Sequence, residues 1–179
     1  MGGPKVSGRS AGFNPQNRFE EVTLVPSEED SRFFPDEDRD QKKIETKFFV
    51  DASKTVLAKN DSPDIPFTYS LNPYRGCEHG CIYCYARPSH EYLGFSSGLD
   101  FETKIMVKRD APELLRAHFM KKSWEPQVVA LAGNTDCYQP AERRLGITRK
   151  CLEVFLEFRN PVGIVTKNFL ITRDIDILA

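Results

Sequence analysis

The feature that most constrains this chain is a group of three cysteines, Cys77, Cys81 and Cys84, spaced as C-x3-C-x2-C. Three thiolates this close in the chain can converge on one metal centre. Gly76 and Gly80 directly precede the first and second cysteines, and glycine lets a backbone turn tightly between ligands. The pattern therefore predicts a metal-binding loop between residues 75 and 85.

The number of thiols distinguishes between kinds of metal site. A structural zinc site usually closes with four ligands, and an ordinary iron–sulfur cluster takes four cysteines. The local run here ends at three. A zinc-binding interaction module would need a fourth ligand such as His79, His90 or Cys137, and a simple electron carrier would need Cys137. Three thiolates on a four-iron cluster would instead leave one iron open to a further ligand.

Composition narrows the class of protein and its compartment. The 179 residues are expected to form one domain. The 25 Lys and Arg residues nearly balance the 26 Asp and Glu residues, so no broad attraction to nucleic acid or to an anionic membrane is expected. Five cysteines, three of them at ligand spacing, indicate metal chemistry in a reducing compartment. There is no membrane-length apolar run and no signal-peptide core, so a cytoplasmic location is expected.

The first 45 residues are predicted to form a weakly structured tail. Gly, Pro, Ser, Asn and charged residues dominate this stretch, and no apolar periodicity crosses it. The alternative is a partner-binding arm, in which the phenylalanines of the tail act as anchors. These anchors would be Phe13, Phe19, Phe33 and Phe34.

Strands are predicted at five places after the tail. Short β-rich pieces at 47–57 form a hairpin or an added edge strand, and residues 66–71 form a strand that leads directly into the cysteine loop. Alternation predicts a further short strand over 101–108. Continuous apolar runs at 127–132 and 162–166 are typical of strands buried on both faces of a parallel sheet.

Helices are predicted between these strands. Pro112 and Pro140 each stand at the first turn of a helix, the second of which continues to about residue 159. A last helix begins at about 171. The order of strands and helices predicts an α/β fold with right-handed βαβ units and a parallel sheet. A Gly-rich phosphate motif follows none of the strands, so a dinucleotide site is not supported.

The cysteine run, with the aromatic Tyr83 directly before its third cysteine, resembles the radical S-adenosylmethionine (radical SAM) superfamily. The wider sequence resembles the spore-photoproduct-lyase-like branch, through Asn-Pro-Tyr-Arg-Gly-Cys at 72–77, Asn-Thr-Asp at 134–136 and Thr-Lys-Asn at 166–168. The superfamily fold is a partial (β/α)6 barrel. The resemblance implies that residues 46–179 form the first half of such a barrel, truncated at the C-terminus.

The resemblance also implies an activity. Cys77, Cys81 and Cys84 would ligate a [4Fe–4S] cluster, and its open iron would bind the amino and carboxylate groups of S-adenosylmethionine. Reductive cleavage of that cofactor would yield a 5′-deoxyadenosyl radical that abstracts hydrogen from a substrate, which the sequence does not identify. A reductant of the flavodoxin or ferredoxin type is the expected partner. The protein itself would orient the cofactor and exclude water.

Five further residues acquire expected roles in binding S-adenosylmethionine from the resemblance. The backbone of Tyr83 would lie near the adenine. Asn134, Thr135 and Asp136 would face the methionine ammonium, which oxygen acceptors suit, although the same residue types also favour loops and helix caps. Lys167 would meet the carboxylate, and a solvated lysine is the alternative.

Cys137 is a weak candidate for a catalytic role. Spore photoproduct lyases use a cysteine near the end of the second barrel strand as a hydrogen donor, but the matching position here is Gly133. Repair of a DNA photolesion is therefore only an alternative function. Cys137 lies in the loop that follows the C-terminal end of a strand, where the catalytic residues of barrel enzymes are found. The alternatives are a buried, inert thiol or a fourth cluster ligand, and we expect it to lie outside the coordination shell.

Overall fold

Short strands and helices alternate along the chain, of which the computed structural model describes residues 8–19 and 45–179. This mixture confirms the α/β class. In the described residues the strands are β1 (Lys47–Val50), β2 (Leu57–Lys59), β3 (Tyr69–Leu71), β4 (Tyr74–Arg75), β5 (Lys104–Val107), β6 (Val129–Leu131) and β7 (Val162–Ile164). The helices are α1 (Leu99–Thr103), α2 (Ala111–Phe119), α3 (Glu142–Leu145), α4 (Ile147–Glu157) and α5 (Ile175–Leu178), with 3-10 helices η1 (Arg87–Leu93) and η2 (Phe169–Asp174).

The larger sheet has the strand order β2-β3-β6-β7. Its strands β3, β6 and β7 are parallel neighbours, with Leu71 opposite Leu131 and Leu131 opposite Ile164. The strands predicted at 66–71, 127–132 and 162–166 are thus confirmed, in shorter form. β2 is antiparallel to β3 and is an edge strand. The hairpin alternative for residues 47–57 is wrong, because β1 pairs with β5 in the other sheet. The carboxyl ends of the three parallel strands meet at one edge of this sheet, and the chain reaches the cysteine loop from there.

The smaller sheet has the order β1-β5-β4, with β1 parallel and β4 antiparallel to β5. The prediction of one strand over 101–108 is wrong for its first part, because residues 99–103 form α1. In that helix the hydroxyl of Thr103 donates to Leu99 O at 2.7 Å. Phe101 is buried, and so is the carboxylate of Glu102, which a regular strand would turn to opposite faces. Within the described residues, the two sheets do not close into a barrel.

Buried side chains of α2 and α4 share the main apolar core with strands of the larger sheet. α2 begins at the predicted place, beside Pro112, and packs on α4 with the rings of Phe119 and Phe155 5.4 Å apart. The prediction of a single helix over 140–159 is wrong. Gly146, at φ 64°, ends α3 and α4 begins directly after it. In α4, Cys151 and Phe155 are buried in the core, while Leu156 is 58% exposed.

Residues 8–19 run without regular secondary structure beside α1. Asn14 Nδ2 donates to Asp100 Oδ1 at 2.9 Å, and Ser96 Oγ donates to Pro15 O at 2.8 Å. Of the aromatic residues proposed as anchors, Phe13 and Phe19 are exposed. Phe33 and Phe34, with most of the predicted tail, lie outside the described residues. In the part of the chain that is described, no helix has the length and apolar character to cross a membrane.

Gly76 occupies a position that a side chain would disturb, and we predict that Gly76→Ala destabilises the fold by about 2–4 kcal/mol. Its φ is +80°, and a Cβ would stand 2.9 Å from both Phe101 O and His90 Cε1 and 3.0 Å from Ile105 Cδ1. Gly146→Ala is the matched control, since Gly146 has φ +64° with open space around its Cβ position. Urea unfolding should show about 1 kcal/mol for the control; equal losses would contradict the steric argument.

Candidate metal centre

The cysteine loop begins directly after β4 and folds as a series of tight turns. Cys77 N donates to Phe101 O at 2.9 Å, which ties the start of the loop to α1. Gly80 N then donates to Cys77 O at 3.2 Å, Cys84 N to Cys81 O at 3.3 Å, and Arg87 N to Cys84 O at 3.5 Å. Each cysteine therefore opens a turn of the same kind, and the loop keeps the three cysteines in a short, folded stretch of backbone.

The three thiols differ in exposure. Cys77 is buried against Ala86 and Phe101, with Cys84 packed beside them, whereas Cys81 and Cys84 are half-buried. Burial raises the pKa of the Cys77 thiol to about 11, although the backbone N–H groups of His79 and Asp136 act in the opposite direction. All five cysteines of the chain are free thiols. Among the described residues, no three side chains of the His, Cys, Asp and Glu types converge as a ready-made metal site.

Lys167 reaches the cysteine loop from the segment that follows β7. Its Nζ lies 2.7 Å from Cys81 Sγ, and this hydrogen bond raises the pKa of the Lys167 ammonium. Its backbone N–H donates to Asp136 Oδ2 at 3.2 Å. The contact places the Lys167 ammonium beside the Cys81 thiol.

The segment after β6 is fastened to the residues just before the cysteine loop. Ala132, at φ 76°, turns the chain at the end of the strand. Asn72 Oδ1 then accepts the N–H groups of Asn134 and Thr135 at 3.0 and 3.3 Å, and Thr135 Oγ1 donates to Tyr74 O at 2.7 Å. Two segments that are 62 residues apart in the chain therefore form one surface at the edge of the sheet.

Asp136 joins three of the predicted segments through its carboxylate. Oδ1 accepts Thr166 Oγ1 at 2.7 Å and Tyr138 N at 2.8 Å, and Oδ2 accepts the backbone N–H of Lys167. His79 Nε2 lies 3.2 Å from Oδ2, close enough for an ion pair but without the alignment of a hydrogen bond. Burial alone would raise the pKa of Asp136; His79, Thr166 and the backbone donors outweigh it and lower that pKa.

Gln139 is a residue of this site that the sequence did not single out. Its side chain is fully buried, its Oε1 accepts Glu78 N at 2.9 Å, and its Nε2 donates to Gly76 O at 3.1 Å. The amide thus holds the backbone on both sides of Cys77. A glutamine in a loop before a proline carries no local signal for such a role, because the partners lie 61 and 63 residues away.

Three other residues considered from the sequence have distinct surroundings. Tyr83, at the tip of the cysteine loop, is 80% exposed. His90 is buried, with Nε2 2.9 Å from Lys104 O and its ring against Phe101. Cys137 is fully buried in the main core, with its Sγ 3.9 Å from Leu131 O. Of the three, the structure therefore puts only Tyr83 on the exposed face of the cysteine loop.

Thiol reactivity should follow these surroundings. In the metal-free protein we predict that iodoacetamide labels Cys81 and Cys84 first, because a thiolate must be both formed and accessible to react. Burial raises the pKa values of Cys77, Cys137 and Cys151. Cys137 and Cys151 are also fully buried in the main core, so these two should react only after unfolding in urea. Mass spectrometry of timed digests gives the order. Labelling of Cys137 as fast as that of Cys84 would contradict its place in the core.

Comparison with known proteins finds relatives but no described function. The chain is 43% identical over 115 residues to the uncharacterized proteins Rv2578c of Mycobacterium tuberculosis and Mb2609c of Mycobacterium bovis, over 64% of this chain and 34% of theirs. It is 28% identical over 109 residues to the uncharacterized protein MJ0683 of Methanocaldococcus jannaschii, covering 61% of this chain and 39% of that protein.

The match to the mycobacterial relatives spans about a third of their length. No family model matches the chain, and no solved structure matches it. The relatives carry no stated activity.

Proposed function

We propose that this chain is part of a radical SAM enzyme of the spore-photoproduct-lyase-like branch, and that Cys77, Cys81 and Cys84 hold its [4Fe–4S] cluster. The observation that carries the proposal is the meeting of the cysteine loop with the 134–136 and 166–168 segments at one edge of the larger sheet. The resemblance in sequence singled out these same three segments, which are far apart in the chain.

The donor set fits such a cluster. Three free thiols on one loop are soft ligands of the kind that select iron–sulfur clusters or zinc. Two of them are half-buried, within reach of a metal source. When bound, a [4Fe–4S] cluster with an open iron supplies the electron that cleaves the sulfonium carbon–sulfur bond of S-adenosylmethionine.

The residues around the loop offer groups that suit S-adenosylmethionine. Lys167 presents an ammonium beside Cys81, which suits a carboxylate. Asn134 is half-buried, and its side-chain Nδ2 makes one long hydrogen bond, to Ser89 Oγ at 3.4 Å. The amide is therefore weakly held and can turn toward an ammonium group. Thr135 and Asp136 already bond to Tyr74 O and to the 166–167 backbone and hydroxyl groups, and in the proposal they position the site.

The fold is consistent with the proposed barrel. β3, β6 and β7 would be its first three parallel strands, and the sheet of β1, β5 and β4 would be an addition beside the cysteine loop. The exposed peptide of Tyr83 would lie along the adenine. A reductant of the flavodoxin or ferredoxin type would deliver the electron. The substrate from which hydrogen is abstracted stays open, since the relatives are about three times as long as the matched region.

Anaerobic reconstitution tests the proposal. After treatment with iron and sulfide, we expect about four irons and four sulfides per chain and a brown protein. Electron paramagnetic resonance of the reduced protein should change when S-adenosylmethionine is added, because the cofactor binds the open iron. Stoichiometric zinc that survives reconstitution would overturn the proposal in favour of a zinc module, and a spectrum indifferent to S-adenosylmethionine would leave a simple electron carrier.

A further inference from the structure

Glu102 is the most heavily bonded buried carboxylate beside the cysteine loop, and the function proposed above gives it no part. It lies in α1 and its side chain is fully buried. Oε2 accepts the backbone N–H groups of Arg9 and Ser10 at 2.6 and 3.1 Å, and Oε1 accepts that of Ala11 at 2.9 Å. Three successive N–H groups pointing at one anion form a backbone nest, so residues 9–11 are folded around this carboxylate.

Arg87 connects Glu102 to Cys81. Its Nη2 donates to Glu102 Oε1 at 2.6 Å, and its Nε donates to Cys81 O at 3.1 Å. Its Nη1 contacts the carbonyls of Ser97 and Gly98 at 3.3 and 3.1 Å. The planar guanidinium has a rigid set of donors, so the position of Glu102 determines where the Cys81 carbonyl is held.

Ser10 holds the peptide unit between Gly80 and Cys81. Its hydroxyl donates to Gly80 O and accepts from Arg87 Nη2 at 3.1 Å. The carbonyls of residues 80 and 81 are therefore both fixed by groups that Glu102 binds. Because peptide units are planar, fixing the two units that flank Cys81 fixes its φ and ψ, and with them the direction of its Cα–Cβ bond.

Glu102 is ionised in this setting. Burial alone would raise its pKa, but the hydrogen bonds from Arg87 and from the backbone of residues 9–11 outweigh burial and hold the pKa below its usual value. A charge-assisted hydrogen bond contributes more than a neutral one, so a neutral amide at this position would weaken every bond in the set.

We propose that Glu102 is a positioning residue for the candidate metal centre: together with residues 9–11 and Arg87, it fixes the backbone on both sides of Cys81 and makes the loop ready to take up the cluster. This inference rests on the proposed function. It assigns a specific task to the segment 8–19, which the sequence suggested to be part of a tail, because that segment supplies three backbone N–H donors to the carboxylate.

The test uses Glu102→Gln and Ser10→Ala in the full chain. Iodoacetamide labelling of the metal-free protein should become about tenfold faster at Cys81 in Glu102→Gln, since local opening of the loop controls access. Cys137 and Cys151 should stay protected, which shows that the fold is intact. On reconstitution, iron uptake should slow by a similar factor, and the paramagnetic resonance spectrum of the cluster should broaden. Neither change is expected if Glu102 only stabilises the fold away from Cys81.

Asp100→Asn is the matched control. Asp100 lies in the same helix and also holds the N-terminal segment, through Asn14, but it contacts neither Arg87 nor the loop carbonyls in the described residues. We expect wild-type labelling and wild-type iron uptake for this variant. If Glu102→Gln unfolds and exposes Cys137, Ser10→Ala is the deciding variant. It keeps the Glu102 carboxylate, the backbone N–H groups of residues 9–11 and Arg87, and removes the hydroxyl that bonds Gly80 O and Arg87 Nη2.

The two hypotheses fail differently. If the wild-type chain takes up no cluster but Cys81 labelling still accelerates in Glu102→Gln and Ser10→Ala, the proposed function falls and the positioning of Cys81 stands. If the wild type takes up about four irons and both variants match it in labelling and uptake, the positioning role is overturned and the proposed function is untouched.

Discussion

Replacing any one of Cys77, Cys81 and Cys84 by alanine is expected to abolish the iron–sulfur cluster of the reconstituted protein. The loop supplies three thiols, and a four-iron cluster that already leaves one iron without a protein ligand cannot lose a second thiolate and persist. Iron content should fall from about four per chain to below about one. The visible absorbance and the paramagnetic resonance signal should disappear with it. Each variant should keep the circular dichroism of the wild type.

Cys137→Ala and Cys151→Ala are the controls for this experiment. Both remove the same thiol group from the buried core, away from the cysteine loop, and both should retain about four irons. The informative outcome is a Cys137→Ala protein that loses the cluster as fully as Cys84→Ala does. In that case Cys137 is a fourth ligand, the open iron disappears, and the radical SAM proposal falls.

The strands of the larger sheet were predictable because their signal is local. Continuous apolar runs such as 127–132 are typical of strands buried in a parallel sheet. The structure confirms the parallel pairing of these strands. The stretch 101–108 was mispredicted because alternating residues satisfy more than one structure. Here Glu102 bonds to residues 9–11, which lie about 90 positions away in the chain. These bonds favour a helical turn at 99–103, and the alternation of apolar residues carries no information about them.

Some residues of the candidate site could likewise be predicted from the sequence, and others could not. The cysteines could be named from their spacing, and the 134–136 segment and Lys167 from the resemblance to the radical SAM superfamily. Gln139 and Glu102 could not, since each bonds backbone groups 61 to 93 positions away in the chain. Arg87 could not, since its role depends on the carboxylate of Glu102. Any long-range hydrogen bond of this kind depends on the finished fold, and neither composition nor periodicity contains it.

Asp174→Asn is expected to lower the free energy of unfolding by about 2–3 kcal/mol, and the melting temperature by roughly 5–10 °C. Asp174 is fully buried and accepts Arg173 Nε at 2.7 Å, Arg149 Nη1 at 2.9 Å and Tyr138 Oη at 3.0 Å. It thereby ties η2 to α4 and to the loop after β6. An amide at 174 keeps one acceptor, turns a donor toward the guanidinium groups, and leaves their charge unbalanced. Both arginines are about one-third exposed, which reduces the cost.

The pH dependence gives this prediction a second readout. Burial alone would raise the pKa of Asp174, but Arg173, Arg149 and Tyr138 outweigh it and lower that pKa below its ordinary value of 3.8. A lowered pKa in the folded state contributes stability above the unfolded-state pKa, and this stability is lost as the pH falls through the folded-state pKa. The difference between wild type and Asp174→Asn should therefore be constant from neutral pH to about pH 5 and shrink below about pH 4.

Asp176→Asn is the control that separates the effect of a buried carboxylate from that of an exposed one bound to the same arginine. Asp176 binds the same Arg149, with Oδ2 2.7 Å from Nη2, but its side chain is 59% exposed. Water and salt screen such a pair, so its removal should change the free energy of unfolding by less than about 1 kcal/mol. Urea unfolding of the metal-free protein at several pH values measures both variants. Equal losses for the two would show that the buried position of Asp174 contributes nothing beyond its charge. An unchanged Asp174→Asn would show that η2 is held to the core by its apolar contacts alone.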